Sequence, residues 1–183
     1  MRVIIRLLNL VLSKQQVALC LQWFPPLRWG LQLGVALFAP RNQVGVYGVI
    51  FNDAGQVLML EHVFRPSYPW GLPGGWVSRG ENPADAIRRE IIEELNLNVK
   101  VKKLLLCQQQ GGKLEKDIPP GLVLAYYCQL NSNNVSLNQI DQAHSAFEIM
   151  SAQWVYPSDI RWPLPHPQRL AIQLGKKEFE RVR

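Results

Sequence analysis

The alternation of apolar and polar positions changes character near residue 43. From there, Val44, Val46, Tyr47, Val49, Ile50 and Phe51 form a β-rich run. Asn52-Asp53-Ala54-Gly55 has the composition of a turn, and Val57-Leu58-Met59-Leu60 reads as a second strand, so the pattern predicts a hairpin. Pro66, Pro69 and Pro73, with Gly71, Gly74 and Gly75, mark a constrained loop. A helix is predicted next, with Asn82 as its cap and Pro83 at its first position, where a missing N–H costs nothing. Ala84, Ile87, Ile91 and Leu95 recur at helical spacing and predict its core face. Val99, Val101, Leu104 and Leu106 suggest a strand, and residues 108–120 a loop. Residues 122–128 suggest a buried strand, 131–147 a loop, 153–156 a short strand, and Gln168 to Leu174 a terminal helix. Strands interleaved with two helices, without regular βαβ spacing, argue for a mixed α/β sandwich.

The first 40 residues are a separate segment, apolar and basic, broken by Pro25, Pro26 and Pro40. Their apolar runs fall short of the ~20 consecutive residues a membrane span needs. No small-residue cleavage site follows residues 3–12, which weakens a signal-peptide reading, while the Arg-rich, acid-free start also fits a transit peptide. The preferred reading is an amphipathic helix over about residues 2–22. It packs on its own domain or on a partner subunit of a homodimer, or it contacts a membrane surface peripherally. The expected organisation is an N-terminal extension over 1–41 and one catalytic domain over 42–183, in a cytoplasmic protein.

Composition and charge narrow the chemistry. A chain of 183 residues, 48% hydrophobic, suffices for one compact domain with a real core. Its formal net charge of +6 is uneven. Residues 1–52 hold Arg2, Arg6, Lys14, Arg28 and Arg41 and no acid, whereas bases and acids nearly balance beyond them. The main fold therefore lacks the basic footprint of a nucleic-acid binder, and no nucleic-acid partner is expected. Cys20, Cys107 and Cys128 are widely spaced, as are His62, His144 and His166, so a hard cation held by carboxylates is favoured over a Cys/His metal site.

The predicted helix supplies those carboxylates. At about 100° per residue, Glu90, Glu93 and Glu94 share a narrow arc beside the core face. Like charges this close repel, and a divalent cation turns the conflict into binding energy. The alternative is a solvated acidic face paired with Arg88 and Arg89. Two further features count against that alternative, since Gly74-Gly75 and Gly80-Glu81 precede the helix at fixed offsets. Adjacent glycines let backbone approach a ligand closely.

The segment GGWVSRGENPADAIRREIIEELNL resembles the Nudix box, G-x5-E-x7-R-E-U-x-E-E-x-G-U with U a bulky aliphatic. Gly75, Glu81, Arg89-Glu90, Ile91 and Glu93-Glu94 fill its positions, and Asn96 stands where the family has Gly. Asn is the next most tolerant residue in the left-handed conformation expected there. The resemblance covers about residues 43–175. It implies an α/β/α sandwich with a mixed sheet and a pyrophosphohydrolase dependent on Mg²⁺ or Mn²⁺. The substrate would be a nucleoside diphosphate linked to another moiety. A Nudix-fold nucleotide-binding or regulatory module without turnover is the alternative, opposed by the intact charged positions.

The same resemblance implies roles for single residues. Glu90, Glu94 and then Glu93 are expected metal ligands with the Gly75 carbonyl, Glu81 supports the site, and Arg89 orients the glutamates. A carboxylate must take the proton from the attacking water. It is a helix glutamate or a later loop acid, here Glu148 or Asp141. Neither the Tyr of dinucleotide-polyphosphate members nor the Pro of ADP-ribose members occurs at residues 112–115. Candidate substrate contacts are Phe64, Arg65, Tyr68 and Trp70 ahead of the box and Arg79 within it. Aromatics there stack a base or pack the loop, and Arg65 and Arg79 reach a phosphate or stay solvated.

Overall fold

The computed structural model describes residues 43–62, 67–111, 115, 118–131 and 149–183. Asn42–Arg183 form one compact unit. The expectations for residues 1–41, including membrane contact and a subunit interface, lie outside the described residues, as do Phe64, Arg65, Asp141 and Glu148. Among the described residues no helix is long and apolar enough to cross a membrane.

Among the described residues, six strands and two α-helices follow in the order β1 (Gln43–Ile50), β2 (Val57–His62), β3 (Trp70–Gly71), α1 (Pro83–Leu95), β4 (Val99–Gln110), β5 (Gly121–Leu130), β6 (Ile149–Val155) and α2 (His166–Val182). They build two three-stranded sheets, ordered β1-β5-β4 and β3-β2-β6. The first is mixed, with β1 parallel and β4 antiparallel to β5. The second is antiparallel throughout.

The two-residue period of β1 divides the core. Tyr47, Val49 and Phe51 point into one apolar cluster, which includes Ala171 and Ile172 of α2. Val46 and Ile50 point into the other, with Ala86, Ile87, Ile91 and Leu95 of α1. A strand buried on both faces needs apolar residues at odd and even positions alike, and β1 has them. The result is the expected α/β/α sandwich. Burying Ile87, Ile91 and Leu95 completely stabilises α1 on the sheet by roughly 2 kcal/mol each. Gly48 sets the spacing, because a Cβ there would stand 2.9 Å from Ile91 Cδ1.

Five expectations need correction. The turn at 52–56 forms, with Asn52 Oδ1 accepting from the N–H groups of Ala54 and Gln56, yet β1 and β2 do not make a hairpin ladder. They touch only at the Phe51–Val57 bridge and then enter different sheets. Residues 108–110 belong to β4 and not to a loop, because β5 supplies backbone partners as far as Gln110–Gly121. β6 begins earlier than predicted, at Ile149, and α2 runs to Val182 instead of Leu174. Its last turns carry a polar sequence, GKKEFERV, held by Phe179 stacking on Phe51 and by ion pairs at Glu178. In the core face of α1, Ala86 is fully buried while Ala84 is half-buried.

Candidate active site

The site is assembled where the glycine loop crosses β1 beside α1. Val46 N donates to Gly75 O, Gly48 N to Pro73 O and Val77 N to Val44 O, each at 2.9 Å, so residues 73–77 lie along the β1 edge opposite β5. This close path requires glycine. Gly74 has φ 147°, and a Cβ on it would collide with Val46 O. A Cβ on Gly75 would fall inside the Glu90 carboxylate.

Helix α1 is capped at both ends as its sequence predicts. Asn82 Oδ1 accepts from Ala84 N at 2.9 Å, and Pro83 occupies the first turn. Asn96 is left-handed, with φ 52° and ψ 31°, and donates its N–H to Ile92 O. The cap fixes the rotation of α1, and the rotation places Arg89 and its acids over the loop.

Arg89 organises the site with all five of its N–H donors. Nε and Nη2 form a fork on Glu81 at 2.9 and 3.0 Å. Nη1 reaches Glu90 Oε1 at 2.8 Å and Glu93 Oε2 at 3.1 Å, and Nη2 also donates to Trp76 O at 3.0 Å. Glu81 is locked further by Ser78 N. Glu94 faces the same loop and accepts from Gly74 N at 2.9 Å. Arg88 stands apart, paired with Asp85 on the exposed face.

The electrostatics of the three Arg89 partners differ. The Arg89 fork, then Ser78 N–H, hold the Glu81 carboxyl down at about 2. Burial pushes Glu90 the other way, above its ordinary value, and outweighs the neighbouring guanidinium. Burial disfavours the charged form, so Glu90 is a carboxylate short of solvation. Cys128 offers no alternative nucleophile, because burial pushes its thiol up to about 12.

The structure thus brings together Gly75, Glu81, Arg89, Glu90, Glu93 and Glu94. Among the described residues, no three His, Cys, Asp or Glu side chains already converge as metal ligands, since Arg89 occupies two of the expected ones. The donor set nonetheless suits a hard cation: carboxylate and carbonyl oxygens, one carboxylate poorly solvated, gathered at a glycine turn. The aromatic and basic candidates are dispersed. Trp70 packs against Trp162 with the rings tilted by 34° and their centroids 5.2 Å apart, which is the packing alternative. Tyr68 is half-buried, and Arg79 is exposed in the turn before Gly80. Sequence reading missed the Gly74 amide and the Trp76 carbonyl as partners of Glu94 and Arg89. Backbone groups leave no trace in composition, although the double glycine marks where they lie.

Comparison with known proteins agrees with this geometry. Residues 41–174 match the family model of the NUDIX domain. The chain is 34% identical over 119 residues to nucleoside diphosphate-linked moiety X motif 6 of Xenopus laevis, covering 62% of this chain and 50% of that protein. It is 35% identical over 83 residues to the RNA pyrophosphohydrolase of Pseudomonas fluorescens, covering 45% and 48% respectively. The chain thus spans about half the length of these curated relatives. Among solved structures, the MutT Nudix hydrolase of Burkholderia pseudomallei superposes with a TM-score of 0.58 at 24% identity, over 74% of this chain and 98% of that one. The Nudix domain of Shewanella oneidensis NrtR, complexed with ADP ribose, superposes with a TM-score of 0.56 at 18% identity, over 79% and 90%. These two likenesses concern the fold. With a family model matched across most of the chain, and every charged position of the box gathered at one glycine turn, this chain belongs to the Nudix family.

Proposed function

We propose that this protein is a divalent-cation-dependent pyrophosphohydrolase that cleaves a diphosphate bond in a nucleoside diphosphate linked to another moiety. The observation that carries the reading is the excess of acid around Arg89. One guanidinium serves Glu81, Glu90 and Glu93, while burial disfavours charge on Glu90. A cluster selected for stability alone would balance its charges. This one fits a cation that arrives with an anionic substrate. The names of the relatives, an RNA pyrophosphohydrolase and a nucleoside diphosphate-linked moiety protein, support the same bond type.

In this reading Glu90, Glu93, Glu94 and the Gly75 carbonyl would hold Mg²⁺ or Mn²⁺, which would supply charge neutralisation at phosphate and activation of a water. Arg89 keeps the Glu90 and Glu93 carboxylates on the loop side of α1. Glu81, locked in its charged form, keeps Arg89 from swinging away. The Gly74 N–H fixes the Glu94 rotamer. Glu93 is the most open of the three glutamates Glu90, Glu93 and Glu94, with half its side chain exposed, and is the α1 candidate for accepting the water proton. Glu148 is the loop candidate.

The test is a screen of nucleoside diphosphate derivatives with Mg²⁺, with Mn²⁺ and with chelator. Release of a nucleoside monophosphate or of a phosphorylated partner, dependent on the cation, is the expected result. Absence of turnover across sugar-linked, dinucleotide and triphosphate substrates with either metal would leave a binding module.

A further inference from the structure

Gln110 ends β4 and is 4% exposed, an unusual place for a carboxamide. Its Oε1 accepts from the Tyr47 hydroxyl at 2.8 Å, which fixes the plane of the amide and turns Nε2 the other way. Nε2 lies over Gly45, 3.4 Å from the position a Cβ would take there. The carbonyl oxygen of Gly75 and the ring of Trp76, at its Cζ3, stand 3.6 and 3.8 Å from that same point. Three groups therefore meet above Gly45: a carboxamide donor, the backbone oxygen expected to face the cation, and an indole ring that is 43% exposed. Among the described residues, Nε2 has no hydrogen-bond partner.

The carboxamide is held from one side through Oε1, and its Nε2 is not among the sealed, unpartnered polar atoms of the described residues, so the donor stays open to an acceptor from outside. Oε1 serves the buried Tyr47 hydroxyl, whereas Nε2 has no such duty among the described residues. The exposed Trp76 has the same character: a large aromatic surface kept open beside the charged cluster. Together they offer a flat face and a directional donor, which is what recognition of a heterocycle needs. Phosphate recognition would instead call for cations, and none of the three groups carries charge.

We infer that Trp76 and Gln110 form the base-recognition pair of this site, the indole stacking a nucleobase while Gln110 Nε2 donates to its carbonyl or ring-nitrogen acceptor. Tyr47 is a positioning residue that orients the carboxamide. The inference rests on the proposed function for the identity of the ligand, and it assigns specificity to the base and not to the phosphates.

The experiment measures binding of the full chain to nucleoside 5′-monophosphates, with ribose 5-phosphate as the base-free probe, by calorimetry without divalent cation. Wild type is expected to bind at least one monophosphate clearly more tightly than ribose 5-phosphate. Trp76→Ala weakens that monophosphate about tenfold or more, the scale of base stacking on an aromatic. Gln110→Met weakens it about 3- to 10-fold, the scale of one neutral hydrogen bond. Tyr47→Phe weakens it by less than Gln110→Met does. Binding of ribose 5-phosphate is the control for each, and in a turnover assay the loss falls on KM. Thermal melting checks the two buried substitutions, and Trp76→Ala, at an exposed position, decides the matter if they unfold. Equal losses for monophosphate and ribose 5-phosphate, or wild type binding both alike, overturn the assignment. An enzyme that binds bases as described but turns over nothing with Mg²⁺ leaves this pair standing and removes the hydrolase reading instead.

Discussion

Arg89 and Glu178 each centre an ion-pair cluster, and the two clusters are built in opposite senses. Around Arg89 one base serves three acids, Glu81, Glu90 and Glu93. Around Glu178 one acid serves two bases, Lys103 at 2.7 Å and Arg181. Glu178 is almost buried and lies between β4 and the last turns of α2, so its surplus of positive partners secures a polar helix end. Arg181, then Lys103, hold its carboxyl down at about 2. Glu81 is held equally low, yet Glu90, touching the same Arg89, moves upward because burial outweighs one shared guanidinium. An ion pair with surplus compensation is fastening. One with a deficit leaves a carboxylate, here Glu90, without full compensation.

The largest expected effect tests the acidic face of α1 beside that cluster. Glu94→Gln keeps an acceptor for Gly74 N and removes one negative charge, so turnover should fall more than about a hundredfold while the melting temperature holds or rises. Wild-type rates from the folded variant would end the catalytic assignment of α1.

Arg89→Met should separate the clusters by stability. It leaves three acids facing one another, and the melting temperature should drop several degrees, on the scale of about 2–4 °C per kcal/mol for a domain of this size. Millimolar Mn²⁺ or Mg²⁺ should recover part of the loss. Lys103→Met leaves Glu178 with Arg181 and should fall less, without any response to metal. Equal drops, or no metal response, would mean that both clusters are only structural.

The acid limb of the stability curve gives a smaller effect. Because the folded-state value of Glu178 lies near 2 against an ordinary 4.5, the unfolded chain binds more protons between those values, and stability rises with pH across that window. It is fully present above about 4.5 and lost as pH falls toward 2. Glu178→Gln should flatten this limb in chemical denaturation between pH 3 and 6, chosen to bracket the upper part of the window. A limb as steep as in wild type would show that Arg181 and Lys103 do not hold the carboxyl.

The smallest effect concerns how the helices end. Helix α1 has side-chain and left-handed caps, whereas α2 has neither an N-cap side-chain bond nor a left-handed stop. Asn96→Gly should change stability by a few tenths of a kcal/mol at most, slightly upward, with activity near wild type. A clear loss of both would assign the Asn96 side chain a role beyond the cap.

The asymmetry between the clusters also separates what was legible in the sequence from what was not. The box helix was readable because its information is local. Asn82, Pro83, the period of Ile87, Ile91 and Leu95, and Asn96 act within a few residues of one another, and all behave as their spacing predicts. The glycine loop was readable as a place of close approach, though not as the segment hydrogen-bonded along β1. The Glu178 cluster was not readable, because Lys103 lies 75 residues away and only the packing of α2 on β4 joins them. The same holds for Gln110, in a run of three glutamines that resembles loop sequence until β5 pairs with it and Tyr47 reaches its carboxamide.

By itself, then, the sequence determined the β-rich run of β1, the capped acidic helix and the family to which they belong, since strand propensity, capping and motif spacing are properties of neighbouring residues. Tertiary structure alone decided that the first two strands part into separate sheets, and that Trp70 is spent on Trp162. It also decided that Trp76 and Gln110 meet over Gly45. Each of these depends on which distant partner wins a contact. That choice is made by the summed burial and hydrogen bonding of the whole domain, to which no single segment of the chain holds the key.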